Sequence, residues 1–273
     1  MRRRWLSLIS GYLIGAVFAS VLGAEKIVIK GSDTLGAKLI PILAEEFKSQ
    51  HPEVSFEIAA EGSTTGIAAI INGTADIGMS SRDITKSELR KAEAEGVEIV
   101  QHIVAYDGVA VVVNAANPID GLRRRQIEQI FSGSVDDWSA VGGEPGKISV
   151  YTRNTASGTH SDFKRLTMRR RDYTQNAQVL AGNEQIASEV AANPNGIGYV
   201  GLIYADSPGL KALTVDGLAL SSVVADKDDY PLSRPTYLYT RGSPSGALQE
   251  FIIFVNGKTG QNIISREGFL AAH

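Results

Sequence analysis

The chain has 273 residues, 43% of them hydrophobic and 21% charged, with 27 basic against 30 acidic side chains. That apolar content excludes wholesale disorder, and a formal charge of −3 argues against nucleic acid as a partner. Cysteine is absent, which excludes a disulfide framework, a thiolate metal site and a lipid-acceptor thiol.

Residues 1–24 differ from the rest. Arg2, Arg3 and Arg4 precede an apolar stretch from Trp5 to about Leu22, and small residues follow before Glu25. This is the layout of a cleavable secretory signal peptide, with a junction after Ala24 or Gly23. The competing reading is an uncleaved anchor, because the stretch approaches the roughly 18–20 residues that span a bilayer. Loss of the three leader arginines leaves 24 basic and 30 acidic side chains, a net −6. An anion site in such a chain must work through local dipoles rather than the global field.

After the leader, strand and helix patterns alternate. Lys26–Ile29 reads as a strand, and Leu35, Leu39, Ile42, Leu43 and Phe47 recur at helical spacing. Pro41 inside that stripe predicts a kink or a late helix start. Val54–Ile58 alternates as a strand, Ile67, Ile70 and Ile71 mark a helix stopped by Asn72-Gly73, and Ala75–Met79 is a further strand. A charged helix over 86–95 precedes Tyr106–Asn114, whose Val109–Val113 run is typical of a strand buried on both faces. The second half predicts a helix at Arg124–Phe131, a strand at Ile148–Thr152 and a helix from about Ser157. A helix at Asn183–Ala192, strands at Ile197–Val200 and Thr236–Tyr239, and a helix at Ser245–Val255 complete the pattern. Such alternation implies an α/β fold with mainly parallel sheets flanked by helices.

One motif recurs: a strand, a hydroxyl- and glycine-rich turn, then usually a helix. It appears as Gly31-Ser32-Asp33-Thr34, as Gly62-Ser63-Thr64-Thr65-Gly66, as Ser80-Ser81-Arg82-Asp83, and as Arg153 followed by Ser157-Gly158-Thr159. A helix start offers unpaired N–H groups and a positive dipole end, so it attracts anions. Hydroxyls add donors, and an arginine adds a planar, bidentate charge. Taken singly, each turn reads first as an ordinary helix cap. Four of them after successive strands favour an anion site at the carboxyl ends of a sheet.

On these motifs, together with Ala75-Asp76-Ile77-Gly78-Met79, Tyr106-Asp107-Gly108 and Gly196-Ile197-Gly198-Tyr199-Val200, the sequence resembles the phosphate-binding receptors of high-affinity phosphate ABC transporters. The resemblance implies a two-lobed periplasmic binding protein of type II, monomeric, with no cofactor, closing on inorganic phosphate and serving a membrane permease. It implies lobe one from residues 25–107 and 230–273, and lobe two from 108–229. Phosphate ligands would come from Ser32, Asp33, Thr34, Ser63, Thr64, Ser81 and Asp83 on the first lobe, and from Arg153, Ser157, Gly158 and Thr159 on the second. Arg153 is the one cation assigned to the site. Such receptors often carry an acidic acceptor for the proton of hydrogen phosphate where this chain has Ser81, so Asp33 or Asp83 would supply it. Another tetrahedral oxyanion, a phosphatase using Ser157 and an adhesive scaffold stand as alternatives.

Other features carry less. His51, His102, His160 and His273 are scattered without metal-ligand spacing, and His160 is expected as an exposed first-turn residue. Ser157 lacks a nucleophile-elbow context. The runs Arg123–Arg125 and Arg169–Arg171 read as solvated helix faces or as a dock for an acidic partner.

Overall fold

Strand β1 (Glu25–Gly31) carries the first apolar pair, Ile27 and Ile29, into a core completed from both ends of the chain. The structure is a computed structural model that describes residues 25–221 and 229–272. The expected leader, residues 1–24, lies outside the described residues.

After β1 a single turn, α1 (Asp33–Gly36), breaks off, and α2 (Leu39–Gln50) restarts on the same apolar stripe. Pro41 falls in the first turn of α2, where its missing N–H costs no hydrogen bond. Of the two outcomes expected for Pro41, the late start is the one observed. Then come β2 (Val54–Ala59), α3 (Ser63–Ile71), β3 (Ile77–Ser80) and α4 (Lys86–Ala94). Helix α4 opens on a reciprocal cap: Glu88 N–H donates to Thr85 Oγ1 at 3.2 Å, and Thr85 N–H to Glu88 Oε2 at 2.8 Å.

Strand β4 (Ile99–Asn114) is longer than the sequence pattern indicates, running 16 residues. The chain continues through β5 (Gly121–Leu122), α5 (Arg124–Phe131), β6 (Ser149–Arg153), α6 (Gly158–Leu166), β7 (Gln178–Leu180) and α7 (Asn183–Ala192). Strands β8 (Gly196–Gly201), β9 (Leu210–Ala212), β10 (Thr214–Val215) and β11 (Ser233–Arg241) follow. Helices α8 (Gly246–Asn256) and α9 (Lys258–Arg266) and strand β12 (Leu270–Ala271) end it.

The main sheet has the strand order β2-β1-β3-β11-β4-β8-β6-β7. Strands β1, β2 and β3 are parallel to one another, as are β6, β7 and β8; β11 and β4 run against their neighbours. Strand β4 serves both halves. Residues Ile99–Gly108 pair with β11, and Val109–Val113 pair with β8. Each half packs helices on its own core: Phe47, Phe251 and Leu238 in the first, Phe131, Phe163 and Trp138 in the second. The arrangement is the expected two-lobed α/β architecture, its halves joined through one mixed sheet.

Candidate anion-binding site

Three turns of the first half meet at the carboxyl ends of β1, β2 and β3. Ser32 N–H donates to Met79 O at 2.9 Å, and Gly62 N–H donates to Gly31 O at 2.7 Å, so the turns are tied backbone to backbone. Gly62 sits at φ 121°, a region that strains any side-chain-bearing residue, and it delivers Ser63 to the first position of α3. Ser63 Oγ accepts from Ser81 N–H at 3.0 Å and lies 3.4 Å from Ser81 Oγ. Ser32 Oγ is buried and makes no hydrogen bond among the described residues.

The second half supplies the end of β6 and the start of α6. Ser157 caps α6 by accepting from His160 N–H at 3.2 Å, which places Gly158 and Thr159 in its first turn. Arg153 is 2% exposed. Its Nε donates to Ala181 O at 3.0 Å, and its Nη1 lies 3.1 Å from Asp33 Oδ2 without the alignment of a hydrogen bond.

The two sets touch. Thr34 Oγ1 is 3.1 Å from Thr159 Oγ1, and Thr64 N–H donates to Ala156 O at 3.1 Å. Asp33 Oδ2 accepts from Asn183 Nδ2 at 2.7 Å and from Asn183 N–H at 3.0 Å. A Cβ on Gly158 would lie 2.3 Å from Ser63 Oγ and 2.8 Å from Ser81 Oγ, so only glycine allows this approach.

A second buried arginine stands in the cluster. Arg234, 2% exposed, donates through Nη2 to Thr159 Oγ1 at 2.9 Å and to Asp107 Oδ2 at 2.7 Å; Asp107 is fully buried. The Nη1 of Arg234 is buried and makes no hydrogen bond among the described residues. The cluster therefore holds two guanidiniums, each paired with a carboxylate, and the expectation of one cation is corrected. Burial pulls the Arg153 guanidinium below its ordinary range, and the Asp33 charge opposes that pull. Among the described residues no group of three or more His, Asp or Glu could hold a metal ion. The chemistry on offer is donation to an anion: hydroxyls, the first turns of α3 and α6, and two arginines.

A family model described as a PBP superfamily domain matches residues 18–258. The phosphate-binding protein PstS of Pseudomonas aeruginosa is 34% identical over 268 residues, with 88% of this chain and 81% of that protein covered. The chain belongs to the phosphate-binding protein family of the PBP superfamily. Among solved structures, a Clostridium perfringens substrate-binding protein with bound phosphate superposes with a TM-score of 0.83 at 31% identity, covering 91% of this chain and 100% of that one. An ABC-type phosphate transport receptor from Vibrio cholerae gives 0.73 at 33% identity, covering 89% and 99%. Members of this family are substrate-binding receptors of ABC importers, a class that works in the periplasm or outside the cell. No helix among the described residues is long and apolar enough to cross a membrane.

Of the residues that the family resemblance singled out, Ser32, Asp33, Thr34, Ser63, Ser81, Arg153, Ser157, Gly158 and Thr159 lie on the four turns that meet in this cluster. Two lie apart. The Thr64 hydroxyl accepts from Arg82 Nη2 at 3.0 Å, on the side where Arg82 forks onto Glu88. Asp83 is exposed and accepts from the Tyr237 hydroxyl. Sequence reasoning missed Asn183, Asp107 and Arg234 as members. Asp107 lies within Tyr106-Asp107-Gly108, but only its pairing with Arg234 across strands gives it a role.

His160 is also corrected. It is half-buried, with its ring 4.6 Å from that of Tyr173, and burial first, then Lys164 and Arg153, push its imidazole down to about 4. The native state thus resists a proton that the unfolded chain accepts near pH 6.5. Stability from this residue is full above pH 6.5 and declines as pH falls toward 4. His160→Gln is expected to flatten that decline in denaturant titrations at pH 7, 5.5 and 4.5; a slope identical to the parent's would remove the assignment.

Proposed function

We propose that this protein is the phosphate receptor of an ABC importer: it binds inorganic phosphate between its lobes, performs no chemical step, and delivers the ion to a membrane permease. The observation that carries this reading is the convergence of four turns, with the first turns of α3 and α6 and two arginines, on one buried cluster. Ser32, Thr34, Ser63 and Ser81 serve as donors from lobe one, and Arg153, Ser157, Gly158 and Thr159 from lobe two. Arg234 adds a second charged donor. The lobe boundaries follow the sequence reading, 25–107 with 230–273 and 108–229, supported by the change of partner along β4 between Gly108 and Val109. The receptor is exported through a cleavable leader and acts in the periplasm as a monomer.

Asp33 is the acceptor for the proton of hydrogen phosphate. Its Oδ2 takes the bonds from Asn183 and faces Arg153, and Oδ1 takes none of them. Sulfate carries no proton near neutral pH, so it would set an oxyanion against that carboxylate. Competition calorimetry with phosphate and sulfate on the purified mature chain tests this. Sulfate is expected to bind at least about 100-fold more weakly, as when a site built for a substrate hydrogen bond meets an analogue lacking it. Equal affinities would assign the site to tetrahedral oxyanions in general, and turnover of an aryl phosphate ester would make the protein a phosphatase.

A further inference from the structure

Helix α6 begins at the buried cluster between the lobes (the cleft of the proposed function) and runs roughly 13 Å, at 1.5 Å per residue, toward a different concave surface. There a groove of about 450 Å³ is lined by Arg123, Arg124, Arg125, Arg169, Glu128 and Asp216, with Leu166 and Thr167 completing it. Arg171 reaches the same place, its Nη1 3.4 Å from Glu128 Oε1. Three of these arginines enter from the start of α5 and two from the turn after α6. The second run is no helix face: it lies beyond α6, with Arg169 at φ 50° and Arg170 at φ 66°. This turn holds non-glycine residues in the left-handed region, an unfavourable geometry that brings Arg169 to the groove.

Five guanidiniums here meet two carboxylates, a local excess of three positive charges. The chain after residue 24 carries −6, so the remainder of the molecule carries −9. Glu128 is shared between Arg169 and Arg171, and Asp216 is taken by Arg124 through both Nε and the backbone N–H. Arg123 and Arg125 make no ion pair among the described residues. Like charges gathered on one concave wall repel one another, and an elongated anion that bridges several of them removes that repulsion. The volume is that of a small-molecule site, and a concave wall does not suit a flat lipid surface.

We infer that this groove is a second anion site, independent of the cleft, for a ligand bearing a chain of two or more phosphates. A single phosphate engages one or two of the arginines. A triphosphate chain spans the groove and reaches guanidiniums from both segments. Binding is electrostatic and weakens with salt. The inference does not depend on what the cleft holds.

The test is calorimetric titration of tripolyphosphate into the mature protein already saturated with orthophosphate, at low ionic strength. Saturable one-to-one binding is expected, and pyrophosphate should bind more weakly. Arg125→Glu with Arg169→Glu should weaken tripolyphosphate binding at least tenfold and leave orthophosphate affinity unchanged. Lys86→Glu with Lys91→Glu on α4 reverses the same number of charges elsewhere and should have little effect. If the charge-reversal pair does not fold, Arg125→Gln alone should still weaken binding several-fold. The inference is overturned by any of four results: no saturable heat, loss of the heat when orthophosphate fills the cleft, equal losses in the α4 variant, or binding to phosphatidylglycerol vesicles without binding to tripolyphosphate.

Discussion

Arg153→Ala should weaken phosphate binding by at least about 100-fold, which corresponds to roughly 2.7 kcal/mol. Arg153 is almost wholly buried, and it faces Asp33 from the opposite lobe at 3.1 Å. Truncating one member of a buried charge pair costs about 2–5 kcal/mol, much of it from the partner left unpaired. Asp33 would keep its two bonds from Asn183, so the loss of fold stability should stay near the lower end, about 2 kcal/mol. Arg153→Lys should recover only part of the affinity, because an ammonium cannot reach Ala181 O and a ligand with a planar fork. Calorimetry and urea melts on both variants measure these effects. Parent-like affinity in the alanine variant would show that Arg153 is a structural ion and no ligand.

Gly158→Ala should act by a different route. The added methyl would meet Ser63 Oγ at 2.3 Å and Ser81 Oγ at 2.8 Å, both on the facing lobe. Gly158 is the first residue of α6 and has an ordinary helical role there, so alanine strains neither lobe internally. The clash exists only when the lobes are together. Phosphate affinity should fall at least about tenfold, in line with the 1–3 kcal/mol typical of overpacking a close contact. The melting temperature without phosphate should barely move. Small-angle scattering should show that saturating phosphate no longer compacts the variant. Full compaction with parent affinity would mean that the lobes meet elsewhere when ligand is bound.

The alternation of strands and helices was legible because long periodic segments declare themselves. Arg124–Phe131 and Asn183–Ala192 were read with the bounds that the structure has. Strands of two or three residues, such as β5, β9 and β10, are too short to show a period. Helix α9 escaped because Gly260 interrupts a segment with few apolar residues. The turns of the site were legible through their hydroxyl and glycine content, which is a local property. Arg234 and Asp107 were not, since they lie 127 residues apart and meet only through the register of β11 on β4. The burial of His160 depends likewise on Tyr173, which approaches from a segment beyond α6.

Strand β4 carries a consequence for how the molecule comes apart. Its 16 residues are one continuous ribbon, hydrogen-bonded to β11 along one stretch and to β8 along the next. Melting either half strips the shared ribbon of its partners on that side and frays it toward the other. The Arg234–Asp107 pair sits one register step from the changeover, at Ser233 opposite Gly108, so fraying would also expose that buried charge pair. The two halves share one hydrogen-bonded ribbon and are thermodynamically welded, so they should lose their structure together.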